Sequence, residues 1–310
     1  MILSASRRTD IPHYYADWLL RRLKAGEVIA RNPMNPRQLS RIFLSPQEID
    51  CIVFWTKDPR NLMERLDEVD RLGYRYYFQF TLTPYPPDIE PGLPDKAALM
   101  DAFVQLSRRI GRERVVWRYD PIIVNQAFPI EWHCQQFSLY CQRLAPHTGE
   151  CVISFLDSYA KLRPLYRSGV FQPILPWEME ELAGRFVKIG QPYALPIKAC
   201  CEGTELAALG VLPASCISRE RAEKACGYPL TVSRDKHQRP GCSCVESIDI
   251  GCYDSCPAGC LYCYACPRGR VDALPLAHNP ESPLLLGIPG PEDKISTRKV
   301  YSLAESIRLY

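Results

Sequence analysis

Short β-rich apolar runs alternate with longer segments of helical periodicity over the first two hundred residues of the chain. Such alternation is typical of βα units that build a parallel sheet. The pattern predicts six strands, at Ile2–Ala5, Cys51–Trp55, Tyr76–Leu82, Val115–Trp117, Val152–Phe155 and Ala194–Ile197. It predicts helices at Tyr14–Lys24, Asn61–Leu72, Lys96–Ile110, Ile130–Leu144 and Trp177–Ile189. We expect an α/β fold, a partial TIM-like parallel (β/α) barrel with about six βα units.

One insertion and one irregular stretch interrupt this alternation. Between residues 28 and 44, two β-compatible runs flank Asn-Pro turn signals, which predicts an antiparallel hairpin. After residue 200 the pattern predicts short helices near Thr204–Leu209 and Ser218–Ala225, followed by a cysteine-rich stretch with little periodicity. Because such a stretch cannot build its own core, we expect a metal to organise it. The predicted domains are a (β/α) barrel at 1–200, a cysteine-rich cluster-binding segment at 201–270 packed on the barrel mouth, and a C-terminal tail at 271–310.

Polar side chains follow every predicted strand. In a parallel α/β barrel, functional groups collect where strands end, because the loops there vary without disturbing the core. Ordinary turn chemistry or structural ion pairs would explain single members of this set. The whole set favours a ligand, because several charges at one barrel mouth are costly to desolvate. We expect the catalytic groups to be Arg7, Asp10, Lys57, Arg118, Asp120, Asp157, Lys198 and Glu202.

Composition and charge restrict the class of protein. The 310 residues are 46% hydrophobic and 24% charged, with a formal net charge of +3, which favours a small-molecule substrate over strong nucleic-acid binding. The N-terminus lacks the hydrophobic stretch of a signal peptide, and no apolar run approaches the roughly 18 residues of a membrane helix. We therefore expect a cytoplasmic protein with no membrane partner.

The placement of the fifteen cysteines changes this picture. Four lie in the first half of the chain, where we expect small buried side chains without function, and eleven lie between Cys200 and Cys266. In a reducing compartment, such crowding favours metal ligation over disulfides. The spacing Cys256-x3-Cys260-x2-Cys263 would let three thiolates converge on one inorganic centre, and iron-sulfur clusters are held in this way.

This spacing, with the aromatic Tyr262 before the last cysteine, resembles the signature of the radical S-adenosylmethionine superfamily. The resemblance implies that Cys256, Cys260 and Cys263 bind a 4Fe-4S cluster, with Tyr262 also at the cofactor. It further implies that S-adenosylmethionine binds the open iron and yields a 5′-deoxyadenosyl radical, which abstracts hydrogen from an unknown substrate. An electron donor such as a flavodoxin or a ferredoxin would reduce the cluster.

Further segments resemble an uncharacterised bacterial family, domain of unknown function eighteen-forty-eight. They are the opening Ser4–Asp10, the stretch Phe54–Lys57 and the region from Gln238 to Ala265. This resemblance implies a barrel and names no substrate. In typical members of the radical superfamily, the cluster loop follows the first strand and a Gly-Gly-Glu stretch follows the second. Here the cysteines lie near the C-terminus, and that stretch is missing.

Three alternatives remain open. Cys260, Cys263 and Cys266 with one more thiolate would suit zinc, in a zinc-stabilised binding protein without catalysis. Loops ending in Cys-Tyr also resemble those of spore photoproduct lyases, which would imply nucleic-acid repair. A second metal site, holding an auxiliary iron-sulfur cluster or zinc, would draw on Cys201, Cys216, Cys242 and Cys244, with unliganded thiols as the alternative.

Overall fold

The computed structural model describes residues 1–202, 204–238, 241–266 and 277–305. In chain order the strands are β1 (Ile2–Ala5), β2 (Glu27–Arg31), β3 (Gln38–Phe43), β4 (Cys51–Thr56), β5 (Tyr76–Thr81), β6 (Val115–Ile122), β7 (Cys151–Phe155), β8 (Ile197–Ala199), β9 (Leu212–Pro213), β10 (Ile248–Asp249) and β11 (Lys294–Thr297). The α-helices are α1 (Ile11–Tyr14), α2 (Ala16–Ala25), α3 (Arg60–Met63), α4 (Leu66–Arg71), α5 (Lys96–Ile110), α6 (Ile130–Leu144), α7 (Arg163–Arg167), α8 (Pro176–Gly190) and α9 (Arg219–Cys226). Short 3-10 helices occupy Arg112–Arg114, Ala145–His147, Ala160–Leu162, Gln191–Tyr193 and Thr204–Leu209.

Eight strands form one parallel sheet in the order β10-β1-β4-β5-β6-β7-β8-β9. The predicted α/β class and parallel sheet are therefore confirmed. Among the described residues, the edge strands β9 and β10 do not pair with each other. The last predicted strand starts three residues late, at Ile197, because Ala194 takes a left-handed conformation at φ 49° and ends a 3-10 helix.

Side chains of the central strands alternate between two buried layers. On one face, residues such as Phe54, Phe78 and Trp117 belong to the main core that the helices cover. On the other face, which we call the inner face, Val53 and Tyr77 join a second cluster that includes residues of α9. Because successive residues of a strand point to opposite faces, a sheet buried on both sides needs the near-continuous apolar runs seen here.

The helical periodicity locates the main helices well. Helices α5 and α6 have the predicted bounds, and the side chain of Asp95 caps the start of α5 by accepting a hydrogen bond from the Ala97 amide. The predicted helix Asn61–Leu72 is instead divided into α3 and α4, since Arg65 between them leaves helical geometry at φ −117° and ψ 8°.

The predicted hairpin is present, and it carries an additional strand. Strands β2 and β3 pair antiparallel, and β11 from the C-terminal tail pairs parallel to β3. Residues 271–276 and 306–310 of the predicted tail lie outside the described residues.

The cysteine-rich segment is joined to the sheet at both edges. Its residues supply β9, next to β8, and β10, where Leu3 pairs with Ile248 and Ser4 with Asp249. The predicted boundary at residue 200 therefore lies between two adjacent strands of one sheet. None of the helices in the described ranges combines the length and the apolar character that a membrane crossing requires.

A buried ion-pair network ties the inner face of the sheet to α9. Glu150, just before β7, lies 2.5 Å from the Lys198 ammonium and accepts a hydrogen bond from the Arg221 guanidinium of α9. Glu150 and Arg221 are 8% and 6% exposed. Removing one partner of such a pair leaves an uncompensated buried charge.

We predict that Glu150→Ala lowers the free energy of unfolding by about 3 kcal/mol, because Arg221 then stays buried without its carboxylate. Denaturant unfolding measures the loss. The control is Glu113→Ala, which removes an exposed carboxylate and should cost less than about 0.5 kcal/mol. Equal losses in the two variants would contradict the role given to Glu150.

The same network predicts a pH dependence. Burial acts against the charged form of Glu150, but hydrogen bonds and charge from Arg221 and Lys198 prevail and lower its pKa below the ordinary 4.5. The carboxylate therefore contributes stability above pH 4.5, and that stability is lost as the pH falls through the lower pKa of the folded state. The free energies of unfolding of the wild type and of Glu150→Gln should differ most near pH 7 and progressively less below pH 4.5. A difference that grows on acidification would contradict this assignment.

Candidate functional site

A cavity of about 1030 Å³ opens at the carboxyl ends of the parallel strands. Ser6 and Arg7 line it just after β1, Lys57 just after β4, and Cys200 just after β8. Arg118 and Asp120 of β6 and Ser154 of β7 also reach it. This is the edge of an α/β sheet at which ligands ordinarily bind.

Most of the residues predicted from the strand ends meet in this cavity. They are Arg7, Asp10, Lys57, Arg118, Asp120 and Asp157. Lys198 and Glu202 are not among the lining residues. Lys198 pairs with Glu150, and the Glu202 carboxylate accepts a hydrogen bond from the Phe155 amide at 3.1 Å.

Asp10 is positioned as a link between two strand ends. Its carboxylate caps α1 by accepting from the His13 amide at 3.1 Å, and it accepts from the Lys57 amide at 2.7 Å. Burial raises the pKa of Asp10. The contacts explain Asp10 as a positioning residue that holds the loops after β1 and β4 together.

Glu90 is a buried carboxylate that sequence reasoning missed. It is 1% exposed and accepts from Lys57 and from the Thr83 hydroxyl, both at 2.9 Å, and also from Lys96 and the Tyr262 hydroxyl. Burial opposes its charge, but Lys57 and Lys96 lower the pKa of Glu90 to about 2. Its only sequence signal is an acidic residue in a Pro-rich loop, which is too common to single out.

The loop of the three cysteines docks on the segment around Glu90 through its backbone. The Gly92 amide donates to the Ala258 carbonyl at 3.0 Å, and the Leu261 amide donates to the Ile89 carbonyl at 2.9 Å. The Lys57 ammonium also lies 5.2 Å from the centre of the Tyr262 ring. These contacts hold the loop between residues 256 and 263 against the mouth of the sheet.

Cys256, Cys260 and Cys263 all line the cavity. The Cys256 amide donates to the Cys266 sulfur at 3.2 Å, and the Cys266 thiol donates to the Arg8 carbonyl at 3.8 Å. Burial raises the pKa of Cys260 to about 12, so metal ligation would have to displace its proton. Three thiols therefore line one cavity, and thiolates are the donor type that holds iron-sulfur groups.

A second group of thiols lies in the same cavity. The sulfurs of Cys200 and Cys216 are 3.0 Å apart, and the Ile217 amide, next to Cys216, donates to the Cys244 sulfur at 3.5 Å. The set predicted from sequence was Cys201, Cys216, Cys242 and Cys244, and the sulfur found at hydrogen-bond distance from Cys216 is that of Cys200. The Cys201 sulfur lies 4.0 Å from the Cys200 sulfur, and both Cys201 and Cys242 line the cavity.

The sulfur positions differ from those around a single bound ion. In the part of the chain that the structure describes, no three or more His, Cys, Asp or Glu side chains are grouped so that they could hold a metal ion. Two thiolates on one tetrahedral zinc would lie about 3.8 Å apart. The 3.0 Å between Cys200 and Cys216 is a hydrogen-bond contact between thiols.

Aromatic rings on this edge are held by protein contacts. The guanidinium groups of Arg7 and Arg118 lie 5.2 and 5.5 Å from the centre of the Trp55 ring. The Tyr264 hydroxyl donates to the Arg7 carbonyl at 2.9 Å, and the Tyr264 ring stacks on Tyr159. Packing therefore explains Tyr264 without a nucleic-acid base.

Asp249 of β10 is a second residue that the sequence did not single out. Its carboxylate accepts from the hydroxyls of Ser4 and Ser6 at 3.0 and 2.6 Å and from the Arg7 amide at 3.0 Å. It thereby fixes the loop that carries Arg7 into the cavity.

The close approach of Gly92 to the cysteine loop generates a prediction. A Cβ at residue 92 would lie 2.6 Å from the Ala258 carbonyl oxygen, so Gly92→Ala should displace the loop and cost about 1–3 kcal/mol. Thermal unfolding should show the loss, and alkylation of Cys260 should become faster. The control Gly184→Ala in α8 meets nothing closer than 3.9 Å and should be neutral or stabilising. Unchanged alkylation in a destabilised Gly92→Ala variant would argue against the docking role.

Comparisons with known proteins agree with the family predicted from the motifs. No curated protein matches the sequence. Among solved structures, the chain is similar to a Bacteroides thetaiotaomicron protein described as a candidate alpha-L-fucosidase, at 9% identity and a TM-score of 0.26, covering 73% of this chain and 84% of that one. A family model described as Domain of unknown function (DUF1848) matches residues 2–265. Because this match spans most of the chain, the protein belongs to the family Domain of unknown function (DUF1848).

Proposed function

We propose that the protein is a radical S-adenosylmethionine enzyme whose cluster is held by Cys256, Cys260 and Cys263. The observation that carries this proposal is the docking of their loop at the strand ends, where all three thiols line the large cavity. A 4Fe-4S cluster bound there would supply, with S-adenosylmethionine and an electron from a flavodoxin or ferredoxin, a radical that abstracts hydrogen from a small-molecule substrate.

The protein's own residues would position and shield this chemistry. Glu90 holds Tyr262 and Lys57 in place, so the loop is anchored through a fully buried carboxylate on the side away from solvent. Ala258 and Cys260 are 4% and 7% exposed and Cys256 and Cys263 are half-buried, so water is excluded most completely around Cys260. Exclusion of water protects a reactive intermediate from side reactions.

The proposal includes a partial barrel. Inner-face residues of β1, β4, β5, β6 and β7 belong to one contiguous cluster with α9 beneath the cavity. An interior filled by side chains from adjacent parallel strands is the arrangement of a barrel core, with function at the carboxyl ends. The cysteine loop would then cover part of the mouth of that barrel.

Asp120, Ser154 and Asp157 are the polar groups that would contact the substrate. Asp120 accepts a hydrogen bond from the Ser154 hydroxyl and pairs with Arg118, whose Nε lies 3.1 Å away. Asp157 accepts from the Tyr159 hydroxyl at 3.1 Å. These carboxylates suit substrate amines or hydroxyls, which they would bind by charge-assisted hydrogen bonds.

Anaerobic reconstitution with iron and sulfide tests the proposal. We expect the reconstituted, reduced protein to form 5′-deoxyadenosine from S-adenosylmethionine, and Cys256→Ala, Cys260→Ala and Cys263→Ala to reduce this to background. The matched control Cys252→Ala removes a cysteine of the same segment that does not line the cavity, and it should keep the activity.

Two results would reject the proposal. One is zinc without iron or sulfide in the purified protein, which would favour the zinc-stabilised binding protein. The other is a reconstituted cluster that never yields 5′-deoxyadenosine, with or without candidate substrates.

A further inference from the structure

The second thiol group has features that the first cluster does not explain. Cys200 follows β8, Cys216 precedes α9, and Cys244 precedes β10, so three distant chain segments bring one thiol each to one end of the cavity. We propose that Cys200, Cys216 and Cys244 hold a second iron-sulfur centre, separate from the centre at Cys256, Cys260 and Cys263.

The three segments are fixed to one another before any metal is considered. The Ala214 amide donates to the Ala199 carbonyl at 2.8 Å, which joins the Cys216 segment to β8. The Val245 amide donates to the Ile217 carbonyl at 3.0 Å, which joins it to the Cys244 segment. The thiols therefore sit on a preorganised scaffold, as a functional metal site requires.

Cys216 occupies the centre of this scaffold. Its carbonyl accepts from the Gln79 amide side chain at 2.6 Å and from the Tyr77 hydroxyl at 3.2 Å. Both donors project from the inner face of β5. Its sulfur lies 3.0 Å from the Cys200 sulfur, and the amide of the next residue, Ile217, donates to the Cys244 sulfur at 3.5 Å.

Two cations, the buried Arg118 and the half-buried Arg7, line the cavity with these thiols. Nη1 of Arg118 lies 3.3 Å from the Cys216 sulfur, and Arg118 is 5% exposed. Arg7 lines the same cavity, and among the described residues its Nη2 atom is buried with no hydrogen-bond partner. Asp120 already pairs with Arg118, whereas thiolates ligating a cluster would supply an acceptor and a compensating charge for Arg7.

The number and surroundings of the sulfurs favour a metal centre over a disulfide. A disulfide needs two sulfurs, whereas five cysteines line this cavity here: Cys200, Cys201, Cys216, Cys242 and Cys244. From 227 to 247, the described residues form no helix or strand beyond isolated bridges, so this segment has little regular structure of its own. Metal binding can contribute folding energy to such a segment.

Iron-sulfur is the chemistry we infer, because structural zinc sites are closed by four ligands. Cys200, Cys216 and Cys244 all line the open cavity, which would leave one position of such a centre accessible. Since Cys200 and Cys216 now stand at hydrogen-bond distance, ligation would require their side chains to separate. The Cys216 carbonyl is anchored, so this movement falls on side-chain torsions.

A two-by-two set of variants of the full chain tests the inference. Variant A carries Cys256→Ala, Cys260→Ala and Cys263→Ala, and variant B carries Cys200→Ala, Cys216→Ala and Cys244→Ala. After anaerobic reconstitution, each should keep about half of the wild-type iron and sulfide, and the combined variant should keep none. Reduced variant A should retain one electron paramagnetic resonance signal. The control Cys252→Ala should match the wild type.

Several outcomes would overturn the second centre. They are variant A without iron, variant B with wild-type iron, zinc lost specifically in variant B, and a Cys200–Cys216 disulfide in protein purified without oxygen. Variant A alone decides the matter if variant B does not fold, as judged by circular dichroism. If the first centre does not form, the wild type and variant A would hold equal iron. This result distinguishes failure of the proposed function from absence of the second centre.

Discussion

The Glu90 carboxylate is the interaction on which the candidate site depends. Two ammonium groups, a threonine hydroxyl and the Tyr262 hydroxyl meet on it in the interior of the protein. An isolated carboxylate in that position would be costly, and the two cations make its charged form the stable one. The loop after β4, the loop after β5 and the cysteine loop thus share one anchor. Lys57, Thr83 and Tyr262 would each lose this hydrogen-bond acceptor if the carboxylate were absent.

The strand and helix pattern could be predicted because it follows from local periodicity. Strand β1 and helices α5 and α6 have the predicted bounds, since their apolar residues recur at the spacing of buried faces. The edges of the sheet could not be predicted. Strands β9 and β10 are two residues each, too short for any periodic signal, and only their partners β8 and β1 define them.

The candidate site, too, could be predicted from the sequence only in part. Polar residues after strands pointed to the cavity, because parallel strands bring their carboxyl ends together. Lys198 does not line the cavity as predicted, because it lies within β8 and its side chain pairs with the buried Glu150. Cys201 and Cys200 are adjacent in sequence, and only the direction of each side chain after β8 selects the thiol that meets Cys216. The functional assignment rests on cysteine spacing, and it stays a proposal.

The pairing of β1 with β10 has a consequence for the order of assembly during synthesis. Ser4 and Asp249 form a hydrogen bond although 245 positions separate them, and Tyr264 reaches the Arg7 carbonyl across 257 positions. One edge of β1 pairs with β4, whereas its other edge stays unpaired until β10 has been synthesised, and such long-range closure is slow compared with local folding. Until then the strand ends and the thiols stay apart in the nascent polypeptide. If the proposed iron-sulfur centres form, their insertion is thereby expected to follow synthesis of the chain.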